Sequence, residues 1–192
     1  MDGLRILGVD PGLNITGYGV LSHQEKHNGC RLLEAGIVRG SDSRTNLADR
    51  LQAIHCGIVE VIEQCHPSVM AVEKLFSHYQ RPRTAILMGH ARGVICLAAG
   101  LHNIPLVGYS ATQVKRILTG SGRAPKQQVQ QAIQRELGLP EVPQPADVAD
   151  ALAIALCHFH LDSNRPSANA TSTTSNISHL RLRRSPNSET DP

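Results

Sequence analysis

Two apolar runs in this chain end on an acid: Ile6-Leu7-Gly8-Val9 passes into Asp10, and Val69-Met70-Ala71-Val72 into Glu73. Short unbroken apolar runs read as strands covered on both faces, so each acid stands where a strand leaves its sheet. A second pair, Asp147 and Asp150, opens an Ala/Leu-rich segment. Acids three residues apart share one helix face. Three separated segments can therefore aim four carboxylates at one point. Carboxylates packed together repel and raise one another's pKa, and the usual reason to assemble them is a divalent cation such as Mg²⁺ or Mn²⁺. Phosphoryl-transfer chemistry is the expectation that follows.

At 192 residues and 41% hydrophobic content, the chain has the material for one globular domain with its own core. Its five cysteines are odd in number, widely spaced and free of any C-x-x-C pair. That pattern argues against a disulfide framework or a zinc site and for reduced thiols. No uninterrupted apolar stretch is expected to span a bilayer, and the first strand begins too early to leave room for a signal peptide. The cytoplasm is the expected compartment.

Charge distribution says more than net charge. From Lys74 through Arg135 there is no Asp or Glu, while Lys74, Arg81, Arg83, Arg92, Lys115, Arg116, Arg123, Lys126 and Arg135 supply nine positive charges. One-signed charge over so long a stretch is the electrostatic footprint of a phosphate-backbone partner, although a solvated face is the plainer alternative. Phe76 lies in this stretch among His78, Tyr79, Arg81 and Arg83. An aromatic ring there can stack on an unpaired base for about 1–3 kcal/mol, or it can anchor a core.

Residues 5–10 and 17–22 read as strands joined by the turn Asp10-Pro11-Gly12, and 32–38 as a third, forming an antiparallel meander. Leu47, Leu51, Ile54, Ile58, Ile62 and Cys65 recur at helical steps up to Pro67. A strand at 69–73 follows, then a helix at 84–99, a short strand near 104–107, a helix after Ser110, another over about 125–137, and a last one from Ala146 to about His160. Alternating helix and strand implies parallel pairing with helices covering the sheet. Residues 1–162 should form the domain, and the Ser/Asn/Thr/Pro-rich segment 163–192 a disordered tail.

Each acid also has a plainer reading. Asp-Pro-Gly is ordinary turn chemistry, Glu73 can pair with neighbouring Lys74, and Asp147 suits a helix N-terminus. Asp150 is harder to explain away, because the face it shares with Asp147, Ala151 and Ile154 continues as apolar and should turn toward the sheet. Gly17 and Gly19 sit inside a strand, where glycine weakens pairing unless something must approach the backbone. A nearby metal or phosphate would be such a thing.

Taken in order, Leu7-Gly8-Val9-Asp10-Pro11-Gly12, Thr16-Gly17-Tyr18-Gly19, Ala71-Val72-Glu73 with Phe76, Gly89-His90-Ala91-Arg92-Gly93, Gln113-Val114-Lys115, Lys126-Gln127-Gln128-Val129 and residues Ala146 to Ala153 closely resemble the RuvC family of bacterial Holliday-junction resolvases. The resemblance covers about residues 4–161. It implies an α/β, ribonuclease H-like fold: a five-stranded mixed sheet, three antiparallel strands then parallel ones, flanked by helices. It implies that Asp10, Glu73, Asp147 and Asp150 are the catalytic, metal-binding acids, Lys115 and Lys126 the DNA-backbone lysines, and Phe76 the stacking aromatic. Arg81, Arg83 and Arg92 of the basic stretch join them as expected DNA contacts. The loop after Phe76 is about one residue longer than is usual in the family, Arg81 stands where Asn is common, and His90 where Gln is common.

The family further implies a homodimer that nicks two symmetry-related strands of a four-way junction, leaving 5′-phosphate and 3′-hydroxyl ends. Two Mg²⁺ ions per subunit, or Mn²⁺ in their place, and the branch-migration proteins RuvA and RuvB as partners belong to the same expectation. A non-catalytic junction-binding module of this fold is the alternative. An actin- or sugar-kinase-like ATP-binding protein is another, since Asp10-Pro11-Gly12 with Thr16-Gly17 superficially resembles that family's phosphate loop. Such proteins need two domains of this kind.

Overall fold

The computed structural model describes residues 4–24, 29–40, 45–75 and 82–163. Five strands, β1 (Arg5–Asp10), β2 (Ile15–Gln24), β3 (Gly29–Arg39), β4 (Val69–Glu73) and β5 (Leu106–Tyr109), form one sheet in the order β3-β2-β1-β4-β5. β1 to β3 are antiparallel, whereas β4 runs parallel to β1 and β5 parallel to β4. The mixed sheet expected from the pattern is the one observed.

Helices α1 (Leu47–Cys65) and α2 (Pro82–Leu101) cover one face, and α3 (Ala111–Thr119), α4 (Lys126–Glu136) and α5 (Ala146–Ser163) the other. Alternate strand residues divide between these layers: Leu7, Val9, Val20 and Met70 pack with Ile54, Ile58 and Ile95, while Ile6, Leu21 and Ala71 pack with Leu152 and Leu156. That two-sided burial is why β1 and β4 read as unbroken apolar runs rather than alternating ones.

Local chemistry sets the boundaries. Asn46 caps α1 by accepting the Asp49 amide at 2.9 Å, and His66, in the left-handed region at φ 46°, turns the chain into Pro67. The last strand begins two residues later than its apolar pattern suggests. Asn103 at φ 55° reverses the chain after α2, and Pro105 has no amide to donate, although its carbonyl accepts the Met70 amide. β2 and β3 extend past the expected 17–22 and 32–38 because main-chain pairing continues into mostly polar residues, which give no alternating hydrophobic signal. α5 runs through Ser163, the residue assigned to the start of the tail. The rest of that segment, 164–192, lies outside the described residues.

Arg83–Leu101, within α2, is long and apolar enough to cross a bilayer by length and composition. It is instead a layer of this fold, packed through Ala91, Ile95, Ala98 and Ala99 onto the core beneath α1.

Candidate carboxylate site

The site lies where β1 and β4 end. These are adjacent parallel strands with Val9 level with Val72, so the next residues, Asp10 and Glu73, emerge side by side, as two acids closing neighbouring strands must. Their side chains hydrogen-bond to each other, Asp10 donating and Glu73 accepting. Burial, then the Glu73 and Asp150 charges, the bond to Glu73 and the Asp147 charge push the Asp10 carboxyl up to about 8. Burial raises Glu73 as well, the hydrogen bond from Asp10 opposes the rise, and the Asp150 charge adds to it. Two buried acids this close titrate as one unit that keeps a shared proton.

Asp147 and Asp150 arrive on the first turns of α5, and glycine is what lets them in. A methyl group on Gly17 would strike the main-chain carbonyl of Asp147, and one on Gly19 the side chain of Leu152. Gly8 clears the Ala151 carbonyl in the same way. The group that needs the bare β2 backbone is therefore the helix, which corrects the reading that a metal or phosphate approaches these glycines. Because Gly17 pairs with Asp10 across β1 and β2, the residue that admits the start of α5 is also the one level with the first acid.

Asp150 meets Lys126, the first residue of α4, whose Nζ donates to Oδ2 at 2.8 Å. This carboxylate, then the charges of Asp10 and Asp147, hold the Lys126 ammonium above its ordinary pKa against the opposing effect of burial. A cavity of about 220 Å³ opens beside the pair, rimmed by Glu73, Lys115, Lys126 and Asp150 over a floor that includes Val114 and Val129. As they stand the acids are not drawn around one point: among the described residues no three His, Cys, Asp or Glu side chains are grouped to hold one ion. The donor set nonetheless suits a hard divalent cation. It consists of oxygen ligands alone, two of them so crowded that they retain a proton, with an ammonium already drawn to a third.

The remaining expected contacts divide. Lys115 lines the cavity, and Arg83 is exposed at the start of α2. Arg92 is half-buried and directs its Nε to the main-chain carbonyl of Glu73 at 3.1 Å, a partner its place in a basic stretch does not reveal. Phe76, Arg81 and the lengthened loop fall outside the described residues. Gly17 shapes the site by admitting the start of α5, and its sequence signal is a glycine within a strand.

Comparison with known proteins shows what the chain as a whole is similar to. The family model described as Crossover junction endodeoxyribonuclease RuvC matches residues 6–158. A crossover junction endodeoxyribonuclease RuvC of Rhodopirellula baltica is 55% identical over 161 residues, covering 83% of this chain and 88% of that protein. One from Shewanella amazonensis is 46% identical over 155 residues, covering 81% and 86%. Among solved structures, Thermus thermophilus RuvC in complex with a Holliday junction substrate superposes with a TM-score of 0.77 at 34% identity, over 83% of this chain and 95% of that one. The yeast mitochondrial Holliday junction resolvase Ydc2, 15% identical with a TM-score of 0.56 over 83% of this chain and 80% of that one, shares the fold.

Proposed function

The chain belongs to the RuvC family of crossover junction endodeoxyribonucleases, and from that premise we propose that Asp10, Glu73, Asp147 and Asp150 hold two Mg²⁺ ions with which it resolves four-way DNA junctions. The observation that carries this is the pair Asp10 and Glu73 at the ends of adjacent parallel strands, where burial and the charges of Glu73, Asp150 and Asp147 raise the Asp10 carboxyl. When bound, the metal supplies an activated water nucleophile and charge stabilisation at the leaving 3′ oxygen. The chain's own residues do the rest. Asp10, bonded to Glu73 and within the field of both α5 acids, is central to the set and gives up its proton when a cation binds. Arg92 holds the end of β4, and so the origin of the Glu73 side chain. Lys115 and Lys126, on the rim of the cavity, offer ammonium groups to the DNA backbone, so binding should weaken steeply with salt.

A homodimer is part of the proposal, and α2 supports it. Ile86, Leu97 and Leu101 are 61%, 53% and 63% exposed. Gly93 lies seven residues after Ile86 and four before Leu97, and a side chain added at Gly89, Gly93 or Gly100 would touch nothing. An apolar stripe with a bare backbone along it suits close packing against a second copy. Two sites in one dimer would then make paired nicks in symmetry-related strands, and RuvA and RuvB are the partners that family membership suggests in the cytoplasm.

The decisive experiment is cleavage of a four-way junction in Mg²⁺ by the wild-type chain and by Asp10→Asn, beside a linear duplex. The expected result is paired nicks in the junction alone, lost in the variant while junction binding persists. Normal nicking by Asp10→Asn would sink the assignment of the acids, and wild-type binding without cleavage in Mg²⁺ or Mn²⁺ would leave a non-catalytic junction-binding module.

A further inference from the structure

The Lys126–Asp150 contact ties a residue expected to bind DNA to a residue expected to bind metal. An Asp150 oxygen that accepts from an ammonium at 2.8 Å cannot at the same time face a divalent ion undisturbed, because the fixed positive charge repels the arriving cation and occupies the oxygen it needs. Lys126 lies under the influence of Asp10 and Asp147 as well, so its ammonium answers to the cluster and not to Asp150 alone. The contact is also built to exchange. Its side chains are 54% and 41% exposed, a setting in which an ion pair is weak. Lys126 projects from the first turn of α4 into an open cavity that it shares with Lys115, where a long flexible stem can find a second anionic partner without moving the backbone.

We propose that Lys126 is an exchangeable counter-cation of the carboxylate cluster: it holds Asp150 until a divalent ion takes that carboxylate and a DNA phosphate takes the ammonium. The inference rests on the metal reading above. Metal at Asp150 releases Lys126 for the backbone, and backbone binding draws Lys126 from Asp150, so each ligand favours the other by the same factor. The protein alone is thereby biased against metal, and the junction completes its own site.

Calorimetric titration of the DNA-free full-length chain with Mn²⁺ tests this. Lys126→Gln should bind Mn²⁺ about two- to fivefold more tightly than wild type, the range expected for a half-exposed ion pair. Lys126→Arg, which keeps the charge, should restore wild-type affinity. Lys115→Gln removes an equal charge from the same cavity without touching Asp150 and should leave the affinity unchanged. Unchanged or weaker binding by Lys126→Gln would overturn the proposal, and so would equal tightening by Lys115→Gln, which would mean a general field effect rather than this contact. No Mn²⁺ binding by wild type would instead refute the metal reading itself.

Discussion

At Glu73 the side chain and the main chain have different partners, and this separates two roles that look alike in a basic stretch. The carboxylate accepts from Asp10, whereas the carbonyl accepts from Arg92 at 3.1 Å. Arg92 thus acts on the carboxylate's origin. Removing a group that orients a metal ligand typically costs 10–100-fold in activity or metal affinity, so Arg92→Gln should lower junction cleavage by about that factor. A lost phosphate contact instead reduces the salt dependence of binding by about 0.9 in slope per charge. Junction affinity measured across a salt series should give Arg92→Gln the wild-type slope, and a fall near that size would return Arg92 to the DNA-contacting set. That Asp10 and Glu73 end neighbouring strands was legible from position, because each closes an apolar run. The partner of Arg92 was not, since nothing in local sequence distinguishes a guanidinium aimed at a carbonyl from one aimed at solvent.

Among the elements, α5 does most to assemble the site, and how it seats on β1 and β2 decides where Asp147 and Asp150 fall. Gly17→Ala puts a methyl group where the Asp147 carbonyl lies. Overpacking of this kind costs about 1–3 kcal/mol. Thermal unfolding should register that loss, and single-turnover cleavage should fall further than the lost stability explains, because the start of α5 moves away from Asp10. Wild-type turnover in a folded Gly17→Ala variant would mean that α5 need not sit so close. The far end of α5 is tied to α4 by His160, whose Nε2 lies 2.6 Å from a Glu136 oxygen. The Glu136 hydrogen bond raises the His160 pKa, and burial partly offsets it. A raised folded-state pKa stabilises fully below the unfolded value of about 6.5 and is lost as pH rises through the folded value. Glu136→Gln should therefore lower the melting temperature at about pH 6 and leave it unchanged at about pH 9, with a free-energy effect of about 0.2–1 kcal/mol for so exposed a pair. Equal effects at both pH values would show that the contact acts through packing rather than charge.

At the scale of the whole molecule, α2 links the exposed stripe to the carboxylate site, since the helix that presents Leu97 also carries Arg92, which reaches the Glu73 carbonyl at the end of β4. Leu97→Asp should halve the mass seen by sedimentation while leaving the unfolding temperature of the subunit close to wild type, because that side chain is already exposed. An unchanged mass would remove α2 as the dimer surface. The fold class and the element order can be read from the amino-acid sequence, because apolar runs and helical periodicity are properties of neighbours along the chain. That glycines in β2 make room for a helix, that Arg92 braces β4 and that Lys126 pairs with Asp150 emerge from the folded chain alone. Each of these is an interaction between residues distant in sequence, set by packing distances that composition and spacing do not encode.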